Sequence, residues 1–285
     1  MDQINDSHGF PDDVLPPEGQ FRSREELATA INAWAAPRDT LATQQDIYNC
    51  IARGKRERAK GQSNIHALAG QLNDDGFWNQ IRLDDSGRVE AVIFAHPQSL
   101  GYLKLYPEVL ILDCTYKTNK HNMPLLDIVG VDACQRSFCV EFAFLSGEEE
   151  DDFTWALGQL RHIYELHGVA IPSVILTDRC LACMNAVSSS SFPESALLLC
   201  LWHINKAVLT HCKPPIVQDK SNPQREEEWK QFYGLWHGVV ASTSEDMYNE
   251  RLEKLKKRYL PVYVEEVGYV MDTWFDPHKQ RFVKA

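Results

Sequence analysis

No apolar run in the chain approaches the roughly 20 residues that a membrane-spanning helix needs, so no membrane-spanning helix is expected. The first residues, Met1 to Gly9, have neither a basic start nor an apolar stretch, and no secretory signal is expected there. A surplus of positive charge is missing as well: 29 Lys and Arg stand against 40 Asp and Glu, a net charge of −11. That counts against broad electrostatic attraction to nucleic acid and leaves any such contact to local basic strips. There is no internal repeat, and no low-complexity tract beyond Ser188 to Ser191, which reads as a loop. The eight cysteines are scattered through apolar stretches of a chain too long to need disulfide staples. They are expected to be reduced and mostly buried as small hydrophobes.

What is present is ordinary globular material, 44% hydrophobic and 24% charged, which argues against wholesale disorder. Residues 1–20 hold Pro11, Pro16 and Pro17 among several aspartates and read as a disordered leader. Residues 21–88 read as a helical region. It opens with the capping-box pattern Ser23-Arg24-Glu25-Glu26 and includes the basic stretch Arg53 to Lys60, a candidate phosphate contact or import signal that Glu57 interrupts.

From residue 89 the pattern turns to strands: Val89 to Ala95, Val109 to Tyr116, Leu125 to Val131 and Phe138 to Leu145, with an amphipathic helix between the first two. A helix from Phe153 to Leu166, a strand from Val174 to Thr177, a helix from Leu181, a strand from Ala196 to Leu199 and a helix from about Trp202 follow. Clustered strands followed by alternation predict an α/β fold, a mixed sheet flanked by helices, over residues 89–212. Residues 213–285 read as helical, with Trp229, Phe232 and Trp236 and the amphipathic stretch Asp246 to Tyr259; Trp155, Trp202, Trp229 and Trp236 are expected in the core.

Two carboxylates stand out. Asp113 ends the apolar run Val109-Leu110-Ile111-Leu112, and Asp178 ends Val174-Ile175-Leu176-Thr177. A carboxylate in such a run is costly to bury unless it is paired or coordinates a metal. If the helix between them acts as a crossover, the two strands become neighbours and both acids meet at one edge. There they can share divalent ions in phosphodiester cleavage, although either aspartate alone can equally cap the turn after it. Cys200 and His203 lie three residues apart on one helix face, with His211 and Cys212 beyond, and are candidates for a structural metal pair against a plain packing role. Cys180-Leu181-Ala182-Cys183 is a CxxC without a thioredoxin-like setting.

The wording around these residues resembles MULE (Mutator-like element) transposases. Leu112-Asp113-Cys114-Thr115-Tyr116-Lys117-Thr118-Asn119 is similar to the first-aspartate motif, with Cys114 where many members have glycine. Met123-Pro124-Leu125-Leu126 and Ile128-Val129-Gly130-Val131 continue it. Thr177-Asp178-Arg179 with Met184-Asn185-Ala186 resembles the second-aspartate motif, and Cys200-Leu201-Trp202-His203 the C-x-x-H motif.

The resemblance implies a ribonuclease-H-like fold with an N-terminal helical region and a C-terminal helical insertion. It implies a DDE-type polynucleotidyl transferase with Asp113 and Asp178 as catalytic, metal-holding residues, and Mg²⁺ or Mn²⁺ in a two-metal site. Its partners would be DNA (transposon ends and target DNA) and further copies of the chain, in the nucleus, or in the cytoplasm without an import signal. In relatives the third acidic residue lies beyond the landmark Asp272-Thr273-Trp274-Phe275, so truncation before it, an incomplete ion site and impaired catalysis are expected. The alternative is a non-catalytic DNA- or protein-binding regulator domesticated from a transposase.

Overall fold

The computed structural model describes residues 64–218 and 223–284, together with Thr29 and Ala33. The leader at 1–20, the helix expected at its end and the basic stretch Arg53 to Lys60 therefore lie outside the described residues, although Thr29 and Ala33 are helical. The chain divides into two units, Met1–Gln71 and Leu72–Ala285, and the second holds the sheet.

Its elements in order are α1 (Asn64–Asp74, which straddles the unit boundary), β1 (Trp78–Leu83), β2 (Val89–Ala95), α2 (Pro97–Leu105), β3 (Val109–Thr115), β4 (Leu125–Val131) and β5 (Ser137–Phe144). Then come α3 (Glu150–His167), β6 (Val174–Thr177), α4 (Leu181–Asn185), β7 (Ala196–Leu199) and α5 (Leu201–Ile216). The helices α6 (Pro223–Val240), α7 (Glu245–Tyr259) and α8 (Val264–Val270) follow, and short helical turns over Met271–Phe275, Asp276–His278 and Lys279–Arg281 come after them. The strands form one seven-stranded sheet in the order β1-β2-β5-β4-β3-β6-β7.

From β3 onward the topology follows from connector length. Short connectors make β3, β4 and β5 an antiparallel meander. The long connection through α3 then returns the chain to the other side of β3, where β6 pairs parallel to it, and β7 pairs parallel to β6. Three antiparallel strands continued by two parallel ones on the far side of the first give the ribonuclease-H-like arrangement, a mixed sheet with flanking helices. The sheet begins earlier than the sequence pattern suggests, because β1 pairs antiparallel with β2 inside the region read as helical. Its residues are half-buried or exposed, none buried, and the edge strand lacks the apolar run by which the others announce themselves.

α3 starts with an acidic turn, Glu150, Asp151 and Asp152, that favours the positive end of the helix dipole. It stops at Gly168, whose φ of 60° suits glycine. Phe153, Ala156, Leu157, Leu160, Ile163 and Tyr164 form its buried side and join the core with Leu110, Leu112, Leu126 and Ile128. A second aromatic part of the core lies among the C-terminal helices, where Trp236, Phe275 and Phe282 pack with ring centroids 4.9–6.2 Å apart.

Two expectations need correcting. Ser188 to Ser191 is not a loop but part of a π-helical turn, Ala186–Ser191, in which the Ser189 hydroxyl donates to the Asn185 carbonyl at 2.6 Å. Serine bonding back to its own helix widens a turn in this way. Trp202 is 62% exposed rather than in the core, whereas Trp229 and Trp236 are buried as expected and Trp155 packs against the core from its edge.

One core residue is out of character. Glu141 is fully buried, and neither carboxyl oxygen has a hydrogen-bond partner. It sits at a β-bulge: Ile128 faces Glu141 and Val129 faces Cys139, so Val140 has no partner on β4. Burial pushes the Glu141 carboxyl well above its ordinary value of 4.5. The folded chain therefore holds this proton where the unfolded chain releases it. The stability tied to it is fully present below pH 4.5 and is lost as pH rises toward the folded value. Glu141→Met is expected to raise stability by about 1–3 kcal/mol at pH 7.5, the usual scale of an unsatisfied buried polar group, and by less near pH 4.5. Urea unfolding at the two pH values checks both the gain and its pH dependence.

Candidate functional site

Asp113 and Asp178 owe their positions to one register. Ile111 pairs with Leu176 in the parallel β3–β6 ladder, so two residues further along each strand Asp113 and Asp178 stand side by side at the same end of the sheet. Both line a small pocket of about 10 Å³ with Leu112, Cys114, Leu126, Glu148, Phe153, Thr177, Cys180 and Cys183. That volume is close to the space one water or one small ion fills.

Each aspartate has a local partner. Asp178 Oδ1 accepts the Cys180 backbone N–H at 3.0 Å, a turn that starts α4. The capping role open to Asp178 from its sequence position is therefore real, and it uses only one of the two oxygens recorded for that carboxylate. His203 Nε2, from the first turn of α5, lies 3.6 Å from Asp113 Oδ1. His203 Nδ1 is buried without a partner. The C-x-x-H histidine thus faces the strand-tip acid, while its neighbours in the motif region go elsewhere. Cys200 is the N-cap of α5, Cys212 is buried with its thiol 3.9 Å from the Glu266 carbonyl, and His211 stacks on Tyr269 at 3.8 Å.

Sequence reasoning missed two further acids. Glu148 lies between β5 and α3 and opens into the pocket, its Oε1 accepting the Tyr116 hydroxyl at 2.6 Å. That hydrogen bond is the main cause pushing the Tyr116 phenol up. In the sequence Glu148 was hidden in the acidic run that begins α3. Its loop is held by Arg82 of β1, whose guanidinium bonds the Asp152 carboxylate, the Ser146 hydroxyl at 3.1 Å and the Asp151 carbonyl at 3.4 Å.

Asp127 is the other. It pairs across β4 with Asp113, and the Thr115 hydroxyl donates to its Oδ2 at 3.4 Å. Burial, joined by the charge of Asp113, raises its carboxyl against the opposing effect of that hydrogen bond. Alternation on β4 could have revealed it, since Asp127 interrupts Leu125-Leu126 and Ile128-Val129.

The cysteines around the pocket carry no sign of activated thiols. Burial pushes Cys183 up to about 12 and Cys114 higher still, so both stay protonated and unreactive. Among the described residues no group of three or more His, Cys, Asp or Glu side chains converges as a metal cluster. Chemically, though, Asp113, Asp178 and Glu148 offer only oxygen donors, the preference of hard cations such as Mg²⁺.

Residues 109–207, spanning β3 to the first half of α5, match the MULE transposase domain family. The chain is 24% identical over 253 residues to the PKS-NRPS hybrid synthetase cheA of Chaetomium globosum, covering 86% of this chain and 5% of that protein. It is 26% identical over 138 residues to the Arabidopsis thaliana protein FAR1-RELATED SEQUENCE 6, covering 48% of this chain and 19% of that one. It therefore spans at most about a fifth of the length of these relatives. Among solved structures, the HTLV-2 integrase catalytic core domain, in complex with magnesium in a trimeric form, aligns at 15% identity with a TM-score of 0.23. That alignment covers 49% of this chain and 90% of the integrase chain.

The turn at Asp178 can be separated from its charge. Asp178→Asn keeps an oxygen acceptor for the Cys180 N–H and is expected to change stability by less than about 0.5 kcal/mol, whereas Asp178→Ala should cost about 1 kcal/mol. Urea denaturation of the two variants beside the wild type checks the difference.

Proposed function

With a MULE transposase domain at residues 109–207 as the premise, we propose that this chain is a transposase-derived polynucleotidyl transferase core that nicks DNA and joins DNA strands at Asp113 and Asp178. One observation carries the proposal: two carboxylates from adjacent parallel strands stand in register beside a pocket the size of one small ion. A lone strand-end aspartate is explained by capping. A pair brought together across a crossover, with the His203 imidazole 3.6 Å from one member, offers the carboxylate oxygens that a hard divalent cation prefers.

Mg²⁺ or Mn²⁺ bound there would lower the pKa of a water or hydroxyl nucleophile and stabilise the leaving oxygen of a phosphodiester. In the proposal Asp113 and Asp178 hold that ion. Glu148 adds negative charge to the pocket wall while its bond from Tyr116 fixes the loop it stands on. His203 restrains the Asp113 carboxylate from the α5 side. Glu148 shares the pocket, but among the described residues it closes no three-ligand cluster with the two aspartates, and in the proposal the ion is therefore held weakly and turnover is slow. The DNA substrates are transposon ends and target DNA, and the compartment is the nucleus.

The test is conversion of supercoiled plasmid to the nicked form with Mn²⁺ titrated from micromolar to millimolar. Slow, Mn²⁺-dependent nicking is expected, reduced at least a hundredfold by Asp113→Asn or by Asp178→Asn. DNA binding with no nicking at any Mn²⁺ concentration, unchanged by either substitution, would instead make the chain a non-catalytic regulator derived from a transposase.

A further inference from the structure

One face of α5 remains unexplained by the carboxylate site. Beyond His203, the helix presents Lys206, Ala207, Thr210 and His211, which with Tyr269 of α8 line an open groove of about 460 Å³. The spacing 203, 206, 207, 210, 211 is that of a single helical face. Lys206, Thr210 and His211 are exposed, and the lining holds no carboxylate, in a chain whose net charge is −11. Every polar side chain there can donate a hydrogen bond.

Outside the groove's lining but against its His203 and Lys206 stands Trp202, 62% exposed, with the Lys206 Nζ 4.8 Å from its ring centroid and the His203 ring 4.7 Å away. At the far end of the groove the His211 and Tyr269 rings are stacked 3.8 Å apart and nearly parallel, at 12°. A tryptophan left in water, an ammonium beside it and a flat aromatic pair one helix face away are the parts of a stacking platform with phosphate contacts. The track starts at His203, which touches the Asp113 carboxylate. From residue 203 to 211 it rises about 12 Å along the helix axis, about three nucleotide steps at the duplex spacing of roughly 3.4 Å.

We propose that this groove binds a single strand of nucleic acid leading away from the Asp113–Asp178 pocket, with phosphates on Lys206 and Thr210 and an unstacked base on Trp202. The assignment rests on the phosphodiester chemistry proposed above and names where that substrate runs. It also accounts for an acidic protein handling a polyanion: affinity comes from one short face and from stacking rather than from overall charge.

The test uses the full chain in EDTA, so that no ion at the carboxylates contributes. Fluorescein-labelled 12-nucleotide oligothymidylate and oligouridylate are titrated by anisotropy at several KCl concentrations. Trp202→Ala and Lys206→Ala are each expected to weaken binding about tenfold, and Lys206→Ala to reduce the slope of log affinity against log salt by about 0.7, one single-strand phosphate contact. Trp202→Phe and Lys206→Arg are expected to retain most of the affinity, which separates contact from misfolding. Asp113→Asn and Asp178→Asn are expected to bind as well as the wild type or better, so loss of nicking with retained binding bears on the cleavage proposal alone. Dependence on Trp202 and Lys206 with either oligonucleotide supports the groove, and the ratio of the two affinities tells DNA from RNA. The proposal is overturned if the wild type binds neither oligonucleotide at 50 mM KCl, or if both alanine variants bind like the wild type.

Discussion

The parallel pairing of β3 with β6 is the constraint on which the candidate site depends. It is bought with a long crossover through α3, and its register decides which side chains meet at the sheet edge. A slip of one residue in β6 would send Asp178 to the opposite face and leave Thr177 beside Asp113. The side chain of Ile175, fully buried beside Leu110, opposes such a slip because it would turn out of the core. The hydrophobic pattern that makes the strands also fixes the separation of the two acids.

Around that pairing the rest of the unit acts as support. β1 looks like a dispensable edge, yet its Arg82 ties down the loop that carries Glu148. α5 begins directly after β7 and turns His203 toward Asp113. The helices after it supply Tyr269, and Trp236 donates its indole N–H to Asn205 of α5 at 2.9 Å, anchoring that helix from behind. Thus the C-terminal helices fix the helix that contacts the carboxylates.

Much of this was legible before any coordinates. The strands from β2 to β7 announce themselves by apolar runs and short connectors, and Asp113 and Asp178 stand out because an acid at the end of such a run needs a reason. Four features were not legible, each for a physical cause. β1 is half-exposed and sets three polar residues among Trp78, Ile81 and Leu83 without regular alternation, so periodicity does not betray it. Glu148 was one acid among several at a helix start, and only the fold shows which of them opens into the pocket. Trp202 stands in an apolar segment, but a helix that buries Ile204 and Val208 must turn residue 202 outward. The burial of Glu141 escaped notice because a bulge, invisible in sequence, sets which residues of β5 face inward.

The central claim is that Asp113 and Asp178 together hold a divalent cation. It is tested most directly by anomalous diffraction from crystals soaked in Mn²⁺. The account predicts an anomalous peak within about 2.0–2.4 Å of carboxylate oxygens of both residues, as hard cations bind oxygen, and its loss in Asp178→Asn crystals. A Mn²⁺ peak elsewhere on the molecule with none between these two side chains, at concentrations that support binding, would contradict it.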